Sequence, residues 1–209
     1  MSEDIKYNKT KKVKIGNDMK TLTCNYLGEI TLGKHIHISD PCYSRDVWCR
    51  AELKNVTPGI YRVYTVHNDD EDRVHMLMLL NAAKYGPWQF FVHWEMAESV
   101  GVDSGQLGIF DDSIYPLEPE KGESFDDPKT FYGRCCQATL SENREGIIDS
   151  AGAVTSSGYG DGSYWYLTNE TIKKNAFLID YLSESSGESL LIVLSMSDPK
   201  IKKAKGVSS

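Results

Sequence analysis

Short runs of β-branched and aromatic residues dominate the chain, and clusters of turn residues separate them. Residues 35–39 alternate strictly between polar and apolar positions, which predicts a half-buried strand. Residues 60–66 and 73–80 flank the acidic cluster 68–72, and this arrangement predicts a hairpin. Further strands are predicted at 13–15, 19–25, 30–32, 88–94, 100–103, 107–110, 152–156, 164–167, 175–182 and 189–195.

One helix interrupts this pattern. Asp127 suits the N-cap position, Pro128 suits the first turn, and the helix is predicted to run to about Leu140. Its expected buried face carries Phe131, Cys135 and Ala138. The predicted fold class is α+β but mostly β: an antiparallel or mixed sheet, sandwich or partly open barrel with one covering helix.

The length of 209 residues fits a single β-rich domain, which we place at residues 13–197. We expect residues 1–12 to form a flexible basic N-terminal arm and 198–209 a flexible basic C-terminal tail. No apolar run approaches the roughly 20 residues that cross a bilayer, and the start lacks the apolar stretch of a signal peptide. Five cysteines, an odd number, indicate thiols. The expected location is the cytoplasm, or a virion if the protein is viral.

Charge is distributed unevenly around a net value of −7. Lysines concentrate at the two ends, which leaves 13 basic and 26 acidic side chains in residues 21–197. Phosphate recognition needs clustered Lys and Arg, so this composition disfavours duplex DNA as a partner. The basic ends are either solvated termini or contacts for an acidic partner.

Two glycine-rich segments, 102–112 and 156–165, set carboxylates and hydroxyls among glycines beside predicted strands. Glycine weakens a strand, so such segments are typical of a close approach of the backbone to a ligand or to another part of the chain. The candidate ligand-binding residues are Asp103, Ser104, Asp111, Ser157, Tyr159, Asp161 and Ser163. If the two segments converge at one sheet edge, their carboxylates share a cleft; alternatively, each Asp accepts hydrogen bonds from its own turn amides.

Candidate metal ligands and nucleophiles are sparse. Asp103 and Asp161 could ligate a divalent cation through oxygen, and His35 and His37 share a strand face at metal-ligand spacing. Alternatively, His35 and His37 are ordinary neighbours on one face of a sheet and bind no metal. Cys42 follows a turn and is either an exposed nucleophile or a buried inert thiol. Neither a nucleophile elbow nor a Walker loop is present, and the sequence identifies no cofactor.

Four blocks together resemble a family of bacterial and phage proteins, domain-of-unknown-function family 4241. They are Ile38-Ser-Asp-Pro-Cys-Tyr43, Gly101-Val-Asp-Ser-Gly-Gln-Leu-Gly-Ile-Phe-Asp111, Phe131-Tyr132 with Cys135, and Ser156-Ser-Gly-Tyr-Gly-Asp-Gly-Ser-Tyr164. The resemblance spans roughly residues 30–182. It departs at Trp165, where the family often has Pro. It implies a microbial or viral origin and places the site in the glycine-aspartate blocks, without implying a reaction.

Three functions fit these features. The first is a binding module whose glycine-aspartate loops hold a small polar ligand, nucleotide-like or metal-bridged, or a loop of a protein partner. The second is a structural or assembly protein of a virus or accessory system that makes protein–protein contacts. The third is a metal- or carboxylate-dependent hydrolase using Asp103 and Asp161. The sequence favours a binding role over an enzymatic one.

Overall fold

A computed structural model describes residues 7–90, 92–117, 125–169 and 174–181, with residues 192, 195 and 196. Twelve strands and one helix occupy these ranges. The strands are β1 (Asn8–Ile15), β2 (Asp18–Leu32), β3 (Ile36–Ser39), β4 (Ala51–Leu53), β5 (Gly59–Asn68), β6 (Arg73–Asn81), β7 (Glu95–Val102), β8 (Gln106–Asp111), β9 (Glu145–Ile148), β10 (Gly152–Ser156), β11 (Gly162–Thr168) and β12 (Ala176–Asp180). The helix is α1 (Phe131–Thr139).

The strands form two antiparallel sheets. The larger has the order β1-β2-β5-β6-β12-β11-β7, and the smaller has the order β4-β3-β8-β10-β9. Neither sheet closes into a barrel within the described residues. The predicted mostly-β class with one covering helix is therefore confirmed, and of the proposed sheet types the antiparallel one is present.

Apolar side chains make three separate core layers. The middle layer lies between the sheets and joins Leu77 and Phe177 of the larger sheet to Ile38 and Ile109 of the smaller one. An outer layer covers the opposite face of the larger sheet. The third packs α1 against the smaller sheet through Phe131 and its neighbours. Because β6 and β12 are covered on both faces, their sequences read as nearly continuous apolar runs.

The predicted strand 88–94 is wrong. Trp88 has a positive φ of 58°, and β7 starts only at Glu95. Trp88 and Phe90 instead lie on the outer face of the larger sheet, with ring centroids 5.2 and 5.0 Å from that of Tyr64. The alternation of aromatic residues thus reflects loop side chains packing on the sheet, a pattern that local periodicity does not distinguish from a strand.

The helix begins later than predicted. Its N-cap is Thr130, whose Oγ1 accepts a hydrogen bond from the amide of Gly133 at 2.9 Å. Asp127 forms the preceding turn, where its carboxylate accepts the amide of Lys129 at 3.0 Å. Both residues are good caps, so their order along the chain could not decide between them. The predicted C-terminal end of the helix is confirmed, since Leu140 is the C-cap. The predicted buried face of the helix is also confirmed.

The ends of the chain fit the expected domain limits only in part. Residues 8–12, predicted to belong to a flexible arm, lie in β1 and pair with residues 21–25 of β2. The predicted strand 189–195 falls outside the described residues, except for Ile192 and Ser195, whose backbone is helical. The predicted tail 198–209 also lies outside them. No helix of the described part is long and apolar enough to cross a membrane.

Candidate functional site: two paired crossings between the sheets

The two glycine-rich segments are the connections that carry the chain between the sheets. One leads from β7 of the larger sheet to β8 of the smaller, and the other leads from β10 of the smaller back to β11 of the larger. They run side by side, because Gln106 pairs with Ser156 and Val102 pairs with Gly162. Between these pairs, the amide of Ser157 donates to the carbonyl of Gly105 at 2.9 Å.

This register places Asp103 and Asp161 at the same end of the ladder. Asp103 directly follows Val102 and Asp161 directly precedes Gly162, so the two residues flank the last strand pair. Both are exposed. No lysine or arginine among the described residues forms an ion pair with either carboxylate. The crossing therefore presents unneutralised negative charge at the sheet edge.

Close packing explains one of the glycines directly. Gly158 has a φ of 66°, and a Cβ at this position would lie 2.6 Å from the carbonyl oxygen of Val74 and 3.2 Å from Cβ of Tyr181. Gly105 has a similar φ of 68° but faces open space. The second crossing thus approaches the backbone of β6 at a distance that only glycine permits.

A buried carboxylate that the sequence reading did not single out holds the first crossing. Asp40 follows β3 and is fully buried. Its Oδ2 accepts the amides of Asp103 and Ser104 at 2.9 and 2.7 Å, and its Oδ1 accepts the Ser104 hydroxyl and the Cys42 amide at 2.6 and 2.9 Å. The available signal was the position of Asp40 in an Asp-Pro turn directly after an alternating strand.

A chain of polar side chains extends from Asp40 to the helix. Ser104 and Cys136 both interact with the hydroxyl of Tyr132, and Nε2 of Gln106 donates to Sγ of Cys136 at 3.3 Å. All four sequence blocks quoted above therefore meet around Ser104 and Gly105. Sequence reasoning missed Tyr132 and Gln106 because their neighbours here are far away along the chain.

The thiol and phenol of this region are not activated as nucleophiles. Cys42 is exposed but not activated, so it matches neither the exposed nucleophile nor the buried inert thiol in full, and all five cysteines carry free thiols. Burial of the sulfur and the adjacent Asp40 carboxylate raise the pKa of Cys42. Burial and the neighbouring Cys136 raise the pKa of Tyr132 to about 12. Both groups therefore stay protonated at neutral pH and offer hydrogen bonds without charge.

Internal hydrogen bonds fix the second crossing. The hydroxyls of Ser157 and Tyr164 both donate to the carbonyl of Gly160, at 2.6 and 2.8 Å. Tyr159 donates to Oε2 of Glu71 at 3.1 Å, and the Arg73 guanidinium stacks over its ring at 4.8 Å. Ser157 and Tyr159 thus serve the fold. Ser163 is exposed and pairs with Gly101 across the sheet edge.

Asp111 does not join the other candidates. It lies at the far end of β8 from Gln106, about 17 Å away at the usual rise per residue. Its carboxylate accepts the amide of Gly33 and both the amide and the hydroxyl of Ser113, the latter two at 3.0 and 2.6 Å. Its role is to close a turn, which was the alternative interpretation of this residue, so Asp111 is removed from the candidate site.

The two histidines do not form a metal site. His37 is buried; its Nε2 contacts Oδ1 of Asp112 at 2.8 Å and its Nδ1 contacts the Arg50 guanidinium at 2.8 Å, so no ring nitrogen is left for a metal. Burial, together with Arg45 and Arg50, lowers the pKa of His37. His35 is exposed and precedes β3. The described residues contain no group of three or more His, Cys, Asp or Glu side chains placed to hold a metal ion.

Comparison with known proteins adds no assignment: no family model, curated protein or solved structure matches this chain. The similarity of the four blocks to domain-of-unknown-function family 4241 therefore stays a prediction.

Proposed function

We propose that the protein is a binding module that holds a small polar ligand at the paired crossings. The observation that carries the proposal is the register of Val102 with Gly162, because Asp103 and Asp161 directly flank this strand pair and are both exposed. The resemblance to phage and bacterial proteins is consistent with a viral or accessory role. We include in the proposal that the protein is soluble and acts inside the cell.

Charge narrows the class of ligand. Two neighbouring carboxylates without a cationic partner in the described structure attract groups that carry positive charge or several donors. The nearest arginine of the second crossing, Arg73, already donates to the carbonyl of Gly158 at 2.7 Å and stacks on Tyr159. A phosphate would therefore meet repulsion, so we favour an amine, a guanidinium or a polyhydroxy compound over a nucleotide.

The backbone of the site is held rigid before any ligand arrives. Asp40 fixes the first crossing with three hydrogen bonds, and Glu71 and Arg73 fix the second through Tyr159. Tyr43 also interacts through its hydroxyl with the carboxylate of Asp103. A preorganised site loses little conformational entropy on binding, which favours affinity.

The chemistry of the site supports binding more than catalysis. The Ser104 and Ser157 hydroxyls donate within the fold, and Cys42 and Tyr132 hold their protons. Among the described residues, no histidine forms a hydrogen bond with a serine or cysteine, so a base that could activate one of these nucleophiles is not in place.

Thermal unfolding with a panel of small compounds tests this function. The panel contains spermidine, arginine, glucosamine, inorganic phosphate and adenosine monophosphate. At a concentration of 100 times Kd, a ligand stabilises the protein by about 2.7 kcal/mol, which for a chain of this size raises Tm by about 5–10 °C. We expect such a rise for a cationic or polyhydroxy compound only.

The matched variants are Asp103→Asn with Asp161→Asn, and the exposed Asp126→Asn as control. The double variant should lose the ligand-induced rise in Tm, and the control should keep it. A rise that survives in the double variant, or one produced by the phosphate compounds alone, would show that the carboxylate pair is not the binding site.

A further inference from the structure

One edge of the larger sheet is open. Among the described residues, β7 is the last strand in the order and pairs with β11 alone, with a bulge between Met96 and Glu98. The amide of Gly101 points away from β11, since it donates to the carbonyl of Cys49 at 2.7 Å. Backbone groups alternate in direction along a strand, so the amide and carbonyl of Ser99, two residues earlier, point the same way. Neither group has a partner in the described part of the chain.

The outer face of this edge is apolar. Met96 pairs with Leu167, whose side chain belongs to the outer core, so Met96 lies on the outer face and is 48% exposed. Trp165 lies two residues from Leu167 on the same face and is 39% exposed. Trp48, which precedes Cys49 at the capped end of the edge, is 92% exposed. Tryptophan and methionine are enriched where proteins bind other proteins.

The inner face of the edge carries glutamates. Glu98 pairs with Tyr166 of the middle core and therefore points toward the space between the sheets. There a cleft of about 340 Å³ separates β7 from β4, and its lining includes Glu52, Glu95, Glu98, Arg50 and Lys174. Glu52 lies 3.8 Å from Arg50 and 3.2 Å from Lys54, and the remaining glutamates, Glu95 and Glu98, face Lys174.

We infer that the free edge of β7 binds an extended, lysine- or arginine-bearing segment of a partner protein, which adds to the larger sheet as a further strand. Main-chain hydrogen bonds to Ser99 give such a segment its alignment, and alternate side chains then face opposite sides of the sheet. Apolar side chains meet Met96 and Trp165, and basic side chains meet Glu98 in the cleft. This surface is separate from the carboxylate pair of the proposed ligand site.

A second copy of the chain fits this edge poorly. Two β7 strands paired antiparallel about Ser99 would set the Glu98 side chains of both copies diagonally on one face of the sheet, where like charges repel each other. The net charge of −7 adds repulsion between copies. Charge complementarity therefore selects a basic segment as the occupant.

Fluorescence anisotropy with the full-length protein tests the inference. The probe is a labelled peptide, Thr-Lys-Val-Lys-Val-Lys-Thr, blocked at both ends. We expect saturable binding that weakens as salt is added and that falls at least about tenfold when glutamate replaces each lysine. Absence of binding by the lysine peptide, or equal binding of the two peptides, would overturn the inference.

Ser99→Pro and Ser99→Ala form the matched pair of variants. Proline removes the outward amide without removing a bond to β11, whereas alanine keeps the amide. We expect Ser99→Pro to lose peptide binding and Ser99→Ala to retain it. A lysine peptide N-methylated at alternate residues provides the same test on the wild-type protein, should the proline variant not fold. Binding that survives both changes would overturn the inference.

Sedimentation of the wild type and of Ser99→Pro tests whether a second copy of the chain, and not a partner protein, binds the edge. We expect a species whose mass does not change with concentration in either protein. A wild-type dimer that dissociates on dilution and is absent from Ser99→Pro would assign the edge to a second copy and overturn the inference. The carboxylate variants Asp103→Asn and Asp161→Asn, which test the proposed function, leave the amide of Ser99 intact, so the two proposals can fail independently.

Discussion

The carboxylate of Asp40 holds Ser104 by both its amide and its hydroxyl, at 2.7 and 2.6 Å, across 64 positions of sequence. Asp40 directly follows β3 of the smaller sheet, and Ser104 lies where the chain arrives from the larger sheet. This contact therefore ties the crossing to the sheet that it enters. It also sets the backbone on which Asp103 is displayed.

Asp40→Asn should lower the free energy of unfolding by about 3 kcal/mol. Each oxygen of Asp40 accepts two hydrogen bonds, so either orientation of an asparagine amide places its NH2 group against two donors. Urea unfolding measures the change, with Asp126→Asn as the exposed control. If the two variants unfold at the same urea concentration, Asp40 does not organise the crossing.

His75 should make the protein less stable in acid. Its ring is fully buried, and neither nitrogen has a hydrogen-bond partner in the described residues, with Nε2 3.8 Å from Glu71. Burial lowers the pKa of His75 to about 4, against about 6.5 in an unfolded chain. The unfolded state therefore binds a proton at His75 below pH 6.5, whereas the folded state binds it only at about pH 4.

The stabilising effect of a neutral His75 is complete above pH 6.5 and is lost as the pH falls toward 4, with a total of about 3 kcal/mol. We expect His75→Phe to flatten the pH dependence of unfolding in this window, whereas His93→Gln, whose side chain is 84% exposed, should not. Denaturant unfolding at several pH values measures both. An unchanged slope in His75→Phe would show that the buried imidazole is not the cause.

Gly158→Ala and Gly105→Ala should differ in stability although their backbones match. The φ angles are 66° and 68°, so both substitutions carry the cost of a left-handed residue, about 1–2 kcal/mol. Only the Cβ at position 158 meets a neighbour, the carbonyl oxygen of Val74 at 2.6 Å. Thermal unfolding should therefore show a larger loss for Gly158→Ala. Equal losses would mean that β6 does not restrict the second crossing.

Cys42 should react first among the five cysteines, but slowly. It is the exposed thiol, whereas Cys24, Cys135 and Cys136 are buried. Because the pKa of Cys42 is raised, little thiolate is present at neutral pH, and the rate should increase as the pH is raised. Mass spectrometry after timed exposure to iodoacetamide measures the order and the rates, with urea-unfolded protein as the reference. Reaction at neutral pH as fast as in the unfolded chain would contradict the protonated state.

The sequence by itself determined the elements whose signal is local. Alternation identified β3, although this strand is buried on both faces and not half-buried as predicted, and runs of apolar, β-branched and aromatic residues identified β5, β6 and β10. The same local reasoning found both glycine-rich crossings, because a turn with positive φ requires glycine and the glycines are visible in the sequence. It also found the helix and its buried face, although the choice between two good caps was not local.

Tertiary structure decided how these pieces meet. The order of the strands, the crossing of the chain between two sheets and the positions of Asp103 and Asp161 beside one strand pair depend on pairings between distant residues. The same dependence explains why Asp111 was placed with Asp103, which is near it in sequence, while the true partners of that crossing, Asp40 and Tyr132, went unnoticed. Hydrogen bonds and burial depend on distances in space. The local sequence pattern therefore indicates which side chains are capable of chemistry, and the tertiary structure determines which of them lie close together.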